Sequence, residues 1–285
     1  MLHDQYRQVF DSQNNSSWSS LDLTPYIARL INLCQIEYVV DPSAFFTDID
    51  WTSPYIHQRR RELQDAPFAE PHLRCLLFDL EPDLLQKIHT IRIRNFPYPA
   101  FWVKTGILSH VRSLDLHTNS TGWIINSFVA EMVGPSNSLE TLKLNFDDGA
   151  NISVARELSE VLGHDGWPRL TTLHLTHLKY DRDLVKHLGR FKSLRELCLG
   201  WICCDKGSWR DELAQLRSLS LRKFMPTGNL REYGRDDPNR FWCIEIEIDD
   251  ENRDEEFDQR VQDLVCGDGP VEGSLNWLYK NIKCW

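Results

Sequence analysis

The side chains best suited to hold a metal ion are eight cysteines and ten histidines. The cysteines stand at positions 34, 75, 198, 203, 204, 243, 266 and 284, with no C-x-x-C pair. Zinc modules draw on closely paired cysteines and histidines, and only Cys198, Cys203 and Cys204, with His174 or His177, come near such a set. We expect reduced cysteines that pack as small apolar residues, and no metal or other cofactor.

Catalysis would require an activated nucleophile, an acid–base group or a phosphate-binding loop. The chain contains no G-x-S-x-G, H-E-x-x-H, G-x-x-x-x-G-K or G-x-G-x-x-G sequence. His164-Asp165 is followed by Gly166 and Trp167, a combination that predicts a loop, and Gly267-Asp268-Gly269 predicts a turn. We therefore expect that the protein is not an enzyme.

The charge balance restricts the class of partner. The chain carries a formal net charge of −10, and its one contiguous basic cluster is Arg59-Arg60-Arg61, predicted to be a solvated helix face. Nonspecific binding to nucleic acid or to anionic membranes requires many clustered cations. No long apolar run and no secretory signal pattern is found. We expect no nucleic-acid or membrane partner, and a cytoplasmic or nuclear location.

A short apolar phrase recurs along the chain, with an aliphatic or aromatic residue at its first, fourth and sixth positions. Successive phrases begin 23, 28, 31, 24, 22 and 25 residues apart, a period typical of leucine-rich repeats. The phrases are Ile88-Ile91-Ile93, Val111-Leu114-Leu116, Leu139-Leu142-Leu144, Leu170-Leu173-Leu175, Leu194-Leu197-Leu199, Leu216-Leu219-Leu221 and Phe241-Ile244-Ile246.

The spacing within the phrase indicates a strand. Side chains of a strand alternate between its two faces, so positions 4 and 6 point into a core while positions 3, 5 and 7 point away. One unit cannot bury its apolar side alone, and stacking supplies the missing cover. Residues 154–162 and 184–191 have apolar side chains at helical spacing. The sequence predicts an α/β solenoid of about seven leucine-rich repeats, with a curved parallel sheet and outer helices.

The repeats are predicted to span residues 71–250. Residues 1–70 are predicted to be a polar segment and a helical cap. Within them the apolar run Tyr26–Val40 is expected to cover the end of the array, as a buried helix or as one that breaks into a strand at Ile36; the alternative is a partner-binding element.

The other end of the chain is predicted to be a C-terminal capping segment, residues 251–285. The acidic run 249–258 leads into an apolar stripe at helical spacing, which favours a closing helix over an acidic docking tail. The stripe consists of Phe257, Val261, Leu264 and Val265.

The register of the phrases predicts which side chains line the concave face of the sheet. Position 5 runs from Arg92 to Ser220 and Glu245, position 7 starts at Arg94, and position 8 forms the rim. Charges of alternating sign in adjacent strands could compensate one another, and a rim tryptophan could be a contact residue or could pack under its own loop. The candidate binding residues are Arg92, Arg94, Asp115, His117, Lys143, Asn145, Phe146, His174, His177, Trp201 and Arg222.

The stretch LRCLLFDLEPDLLQKIHTIRI, the phrase SLRELCLG and the irregular repeat length resemble fungal F-box and leucine-rich-repeat proteins over about residues 70–250. The resemblance implies an N-terminal F-box that binds a Skp-type adaptor, and a repeat array that presents a substrate to a cullin ubiquitin ligase. LEPDLLQKI, residues 80–88, is similar to the F-box opening Leu-Pro-x-Glu-Leu-Leu, although its spacing differs and Ile88 begins the first phrase. A diverged F-box around Tyr26–Val40 is the other possibility.

The expected function is noncatalytic protein recognition. The resemblance adds substrate recruitment to a ubiquitin ligase as its specific form, and a stand-alone interaction or inhibitor protein without ligase docking is the alternative. A repeat-type GTPase-activating protein is a third class, which only the exposed arginines favour.

Overall fold

Short strands form where the apolar phrases stand, because alternating apolar and polar side chains suit a sheet with one buried face. A computed structural model of the chain describes residues 34–39, 82–94, 106–118, 128–146, 156–162, 166–180, 184–204, 209–233, 243–246, 255–267 and 283–284. The strands are β1 Gln35–Val39, β2 Thr90–Arg94, β3 Ser113–Thr118, β4 Thr141–Phe146, β5 Arg156–Glu157, β6 Thr172–Thr176, β7 Leu178–Tyr180, β8 Glu196–Cys204, β9 Lys223–Tyr233, β10 Cys243–Ile246 and β11 Lys283–Cys284.

Helices occupy the segments between several strands. A 3₁₀ turn at Arg217–Leu219 follows the fifth helix and leads toward β9. In these described segments no helix is both long and apolar enough to cross a membrane. The helices are α1 Pro82–Leu85, α2 Phe128–Val133, α3 Leu158–Leu162, α4 Leu184–Leu188, α5 Trp209–Leu216 and α6 Glu255–Cys266.

The sheet is parallel over most of its width. Seven strands pair in the order β1-β2-β3-β4-β6-β8-β9, all parallel, and β10 and β11 extend the sheet antiparallel beyond β9. A side branch pairs β5 with β7, and β7 with the second half of β8. The α/β class and the parallel sheet were therefore predicted correctly.

Identical phrase positions are direct neighbours across the seven parallel strands. Leu142 pairs with Leu173, and Leu173 with Leu197, all completely buried. At position 6, Leu116 pairs with Leu144, and both side chains are buried. Side chains with a period of two thus form continuous apolar rows, as the sequence predicted.

One pair of backbone hydrogen bonds recurs at every junction between these seven strands. The carbonyl of phrase position 2 accepts from the N–H groups of positions 2 and 3 in the next unit. His89 O, for example, accepts from Arg112 N at 2.8 Å and Ser113 N at 3.0 Å. The same pair is repeated on the carbonyls of Cys34, Arg112, Glu140, Thr171 and Arg195. Each unit is therefore added to its predecessor in the same register.

A second recurring feature is the turn that leads into the strand. The N–H of position 1 donates to the carbonyl three residues earlier, as Val111 does to Leu108 and Leu194 does to Phe191, both at 3.0 Å. In the unit that contains β4 a buried serine replaces that carbonyl: Ser136 Oγ accepts from Leu139 N at 3.3 Å and donates to Ser109 O at 2.5 Å. The buried serine is thus satisfied.

The helices pack on the face of the sheet that carries positions 4 and 6, in one continuous core. At the far end, α6 buries Val261, Leu264 and Val265, three residues of the predicted stripe. The side-chain amide of Gln262 accepts from Phe224 N and donates to Phe224 O, which fixes the helix to β9. A helix is therefore present where the closing helix was expected.

Two predicted phrases differ from the structure. Leu216 ends α5 and Leu219 ends the 3₁₀ turn, so the strand predicted at the sixth phrase does not lie at Leu216–Leu221. The strand begins instead at Lys223, and Leu221, Phe224 and Pro226 take phrase positions 1, 4 and 6. The strand at the seventh phrase exists as β10, but it is antiparallel to β9. The prediction of a parallel unit there was wrong.

The parallel sheet includes a strand that precedes the first predicted phrase. β1 pairs with β2 in the register of the phrase, so that Ile36 lies opposite Ile91. This is the strand alternative for the end of the Tyr26–Val40 run. Residues 1–33 and 40–81, which contain most of the predicted N-terminal segment and more than half of the run Tyr26–Val40, lie outside the described residues.

Candidate functional site

The candidate site is the polar face of the sheet, defined as positions 3, 5 and 7 of the seven parallel strands. Its position 5 row is Glu37, Arg92, Asp115, Lys143, His174, Cys198 and Met225. Its position 7 row is Val39, Arg94, His117, Asn145, Thr176, Gly200 and Thr227. Because strands lie about 4.8 Å apart, neighbours in a row can interact directly.

The β1–β3 end of the polar face is charged and internally paired. Arg92 Nε lies 3.1 Å from Asp115 Oδ2, and Arg92 Nη1 lies 3.4 Å from Glu37 Oε2. Arg94 Nε is 3.5 Å from the other oxygen of Glu37. These side chains are partly exposed, so their pairing contributes little stability, but it neutralises this end of the face. The predicted charge compensation is confirmed for Arg92 and Asp115.

The centre of the polar face holds Lys143 beside His174. In the described part of the chain, Lys143 makes no ion pair within 4.0 Å. Burial lowers the pKa of His174, and the neighbouring Lys143 ammonium lowers it further, while Asp115 and Glu196 oppose the shift. His174 is therefore neutral at pH 7 and offers one donor and one acceptor. Next to it, Thr176 Oγ1 donates to Asn145 Oδ1 at 2.6 Å.

The β8–β9 end of the polar face is neutral and tightly packed. Gly200 lies between Thr176 and Thr227, and a Cβ placed there would come within 2.4 Å of Thr227 Oγ1 and 2.6 Å of its carbonyl oxygen. Cys198 is buried although its position faces outward, with its Sγ 3.7 Å from Thr227 Oγ1. Thr227 thus packs directly against Gly200, a position that admits no larger side chain.

An aromatic pair stands at the rim beside this end of the polar face. His177 and Trp201 both adopt left-handed backbone, with φ of 57° and 51°. Their rings stack with centroids 5.6 Å apart and planes within 8°. Trp201 is 42% exposed, and among the described residues no other large apolar side chain is exposed. The left-handed residue interrupts strand alternation, which turns both rings out of the core.

Phe146 corrects the prediction for the rim. It occupies the same phrase position as His177 and Trp201, but β4 continues through it as regular strand. Position 8 of an uninterrupted strand points the same way as positions 4 and 6, and Phe146 is accordingly buried in the core. It cannot be a rim contact.

Arg222 is the other correction. It precedes β9 at phrase position 2, where its N–H donates to Arg195 O at 2.7 Å, and its side chain is exposed at the end of the sheet where the strands begin. Ser220 likewise precedes the strand, and Met225 and Thr227 take the positions predicted for Ser220 and Arg222.

The remaining predicted site residues do lie together on the polar face or its rim: Arg92, Arg94, Asp115, His117, Lys143, Asn145, His174, His177 and Trp201. Sequence reasoning missed Glu37, the partner of both arginines. The phrase Leu33-x-x-Ile36-x-Tyr38 could have revealed it.

The cysteines considered for metal binding do not form one cluster. Cys198 lies on the polar face, whereas Cys204 belongs to the core. Within the residues that the structure describes, no group of three or more histidine, cysteine or acidic side chains is placed to hold a metal ion.

Comparison with known proteins adds no family to this geometry. No protein-family model, no curated protein and no solved structure matches the chain.

Proposed function

We propose that the chain is a leucine-rich-repeat solenoid that binds another protein through its polar face and rim, without catalysing a reaction. The repeat architecture is supported by the apolar phrase, the paired backbone hydrogen bonds and the entry turn, which recur in successive units. Stacked units of this kind provide extended surfaces and rarely a single pocket.

One observation carries the proposal: the exposed stack of His177 and Trp201. Tryptophan is enriched at the centres of protein interfaces because it offers a large apolar surface and a polar N–H group. Left-handed backbone costs a residue other than glycine about 1 kcal/mol or more, and such costs are concentrated at functional sites. Here the unfavourable backbone places an aromatic surface in solvent.

The surroundings of the stack suit a protein contact. Gly200 and Cys198 add no bulky side chain beside it, while Asn145, Thr176 and neutral His174 offer hydrogen bonds close by. An apolar anchor surrounded by polar groups is the usual composition of a binding hot spot.

The test replaces Trp201 with alanine and measures binding to a partner that has been captured with the parent protein, identified and purified. We expect an affinity loss of about thirtyfold or more, the range of a hot-spot side chain. Lys186→Ala, an exposed change on α4, is the matched control and should bind as the parent does. Unchanged binding by Trp201→Ala would refute the proposal, and equal losses in both variants would indicate nonspecific damage.

Recruitment to a ubiquitin ligase is the specific form of this role that the family resemblance supports. β1 takes Gln35–Val39 into the sheet, so an adaptor-binding segment has to use other residues. Mixing the full chain with a Skp-type adaptor in size-exclusion chromatography tests this form. A stable complex supports ligase recruitment, and separate elution leaves the stand-alone interaction protein.

A further inference from the structure

The segments that enter the last three parallel strands are strongly basic in an acidic protein. Residues 166–172, 189–197 and 217–224 contain seven cationic side chains and one carboxylate, that of Glu196, although the chain as a whole has a net charge of −10. The corresponding entry segments of β2, β3 and β4 are mixed in sign, with Lys87, Arg112 and Glu140. The positive charge is thus concentrated at one end of the array.

Two of the seven cations make contacts within the protein. Arg190 lies over the ring of Phe191, 4.9 Å from its centroid, and Arg217 donates to Gly267 O. The other five define the basic edge, and none of them forms an ion pair within the described part of the chain. The basic edge consists of Arg169, Lys192, Arg195, Arg222 and Lys223.

Strand stacking brings these like charges together. Arg222 N donates to Arg195 O at 2.7 Å, so the two arginines occupy the same phrase position in adjacent units. Like charges on neighbouring strands are destabilising. Glu196 is the cross-strand partner of Lys223 by register, but one carboxylate cannot neutralise five cations. Arg195 Nη1 donates to the carbonyl of the preceding residue, Leu194, at 2.7 Å. The other four side chains of the basic edge are exposed to solvent.

We propose that the basic edge binds a carboxylate-rich segment of the protein partner. The inference rests on the proposed function, because it assigns a chemistry to the partner that the polar face contacts. Position 3 of the phrase is shared by the basic edge and the polar face through Lys223, so one partner can span both. A row of acidic side chains on the partner, placed along the beginnings of β6, β8 and β9, would offset the repulsion among the five cations of the basic edge. The same attraction between opposite charges would speed association of the two proteins.

The experiment measures fluorescence anisotropy of a fluorescein-labelled polyglutamate peptide with the full chain. The parent should bind at about 0.15 M salt and more weakly as salt increases. Arg222→Glu with Lys223→Glu should weaken binding by about tenfold or more, since both charges are reversed. The matched control, Lys87→Glu with Lys186→Glu, changes the net charge equally at two exposed positions elsewhere and should bind as the parent does.

Several outcomes would overturn the inference: no binding by the parent, equal losses in the control, or tighter binding of a labelled oligothymidylate, which would indicate nucleic acid. Melting curves verify that the variants fold, and Arg222→Gln with Lys223→Gln replaces the reversal if they do not. Polyglutamate binding is measured without the purified partner, so it is independent of the Trp201 test. The Trp201 test with the purified partner can therefore refute the proposed function while polyglutamate binding supports the basic edge, and the reverse result is equally distinguishable.

Discussion

Replacement of Leu173 by alanine tests whether the apolar rows hold the parallel sheet together. Leu173 lies at position 4 of β6, completely buried, with Leu142 on one side and Leu197 on the other. The carbon atoms removed beyond Cβ account for about 2.4 kcal/mol of transfer free energy, at about 0.8 kcal/mol per buried carbon. Strands on both sides are fixed by backbone hydrogen bonds and cannot close the cavity, which raises the expected cost to about 3–4 kcal/mol.

The matched control is Ile36→Ala at the same phrase position of β1. Ile36 is only half-buried, and β1 is the first strand in the order of the described sheet. We expect a cost of about 1–2 kcal/mol there, because less surface returns to water and the end unit can relax.

Urea unfolding, followed by tryptophan fluorescence and by far-ultraviolet circular dichroism, measures both free energies of unfolding. A cost for Leu173→Ala below about 1 kcal/mol, or no larger than that for Ile36→Ala, would refute the stacked register.

Three further predictions concern single positions. Phe146→Ala should lower the free energy of unfolding by about 3–5 kcal/mol, as expected for a core aromatic; a cost below about 1 kcal/mol would return Phe146 to the rim. Gly200→Ala should cost about 1–3 kcal/mol, because its Cβ would clash with Thr227 Oγ1 and O, and Thr227→Ala should relieve only the first of these clashes. Equal urea midpoints for Gly200→Ala and the parent would contradict that contact. Because burial and Lys143 lower the pKa of His174 from 6.5, the unfolded chain binds this proton more readily. The stability that His174 confers is thus complete above pH 6.5 and decreases as the pH falls below it. His174→Gln should therefore reduce the loss of unfolding free energy between about pH 7.5 and 5.5. An unchanged pH dependence of that free energy would count against the lowered pKa of His174.

The apolar rows could be predicted because they depend only on local spacing. Residues two apart in a strand share a face whatever lies beside the strand, so Leu142, Leu144, Leu173 and Leu175 were assigned to the core correctly. The outward rows follow from the same rule, and the opposite charges of Arg92 and Asp115 at equal phrase positions were sufficient to predict their contact.

The strand at β9 shows where local spacing is insufficient. Leu216-Leu219-Leu221 fits the phrase at all three positions, whereas Leu221-Phe224-Pro226 fits it only at the first two. Its sixth position is a proline, which lacks an N–H and usually disfavours a strand interior. The choice depends on the extent of α5 and on the hydrogen bonds offered by β8. Similarly, the direction of β10 depends on the path of the chain between two strands and not on the pattern within either.

What the sequence by itself determined is which side chains are buried and which charges are neighbours, since both follow from the two-residue period of a strand and from the recurrence of one phrase. Only the tertiary structure decided which position 8 side chains leave the core and which cations meet at the basic edge. His177 and Trp201 turn outward because their backbone is left-handed, and Arg195 and Arg222 are neighbours because β9 begins later than the phrase suggested. These features depend on backbone conformation and strand pairing, which arise between units when they stack and are not encoded at any single position.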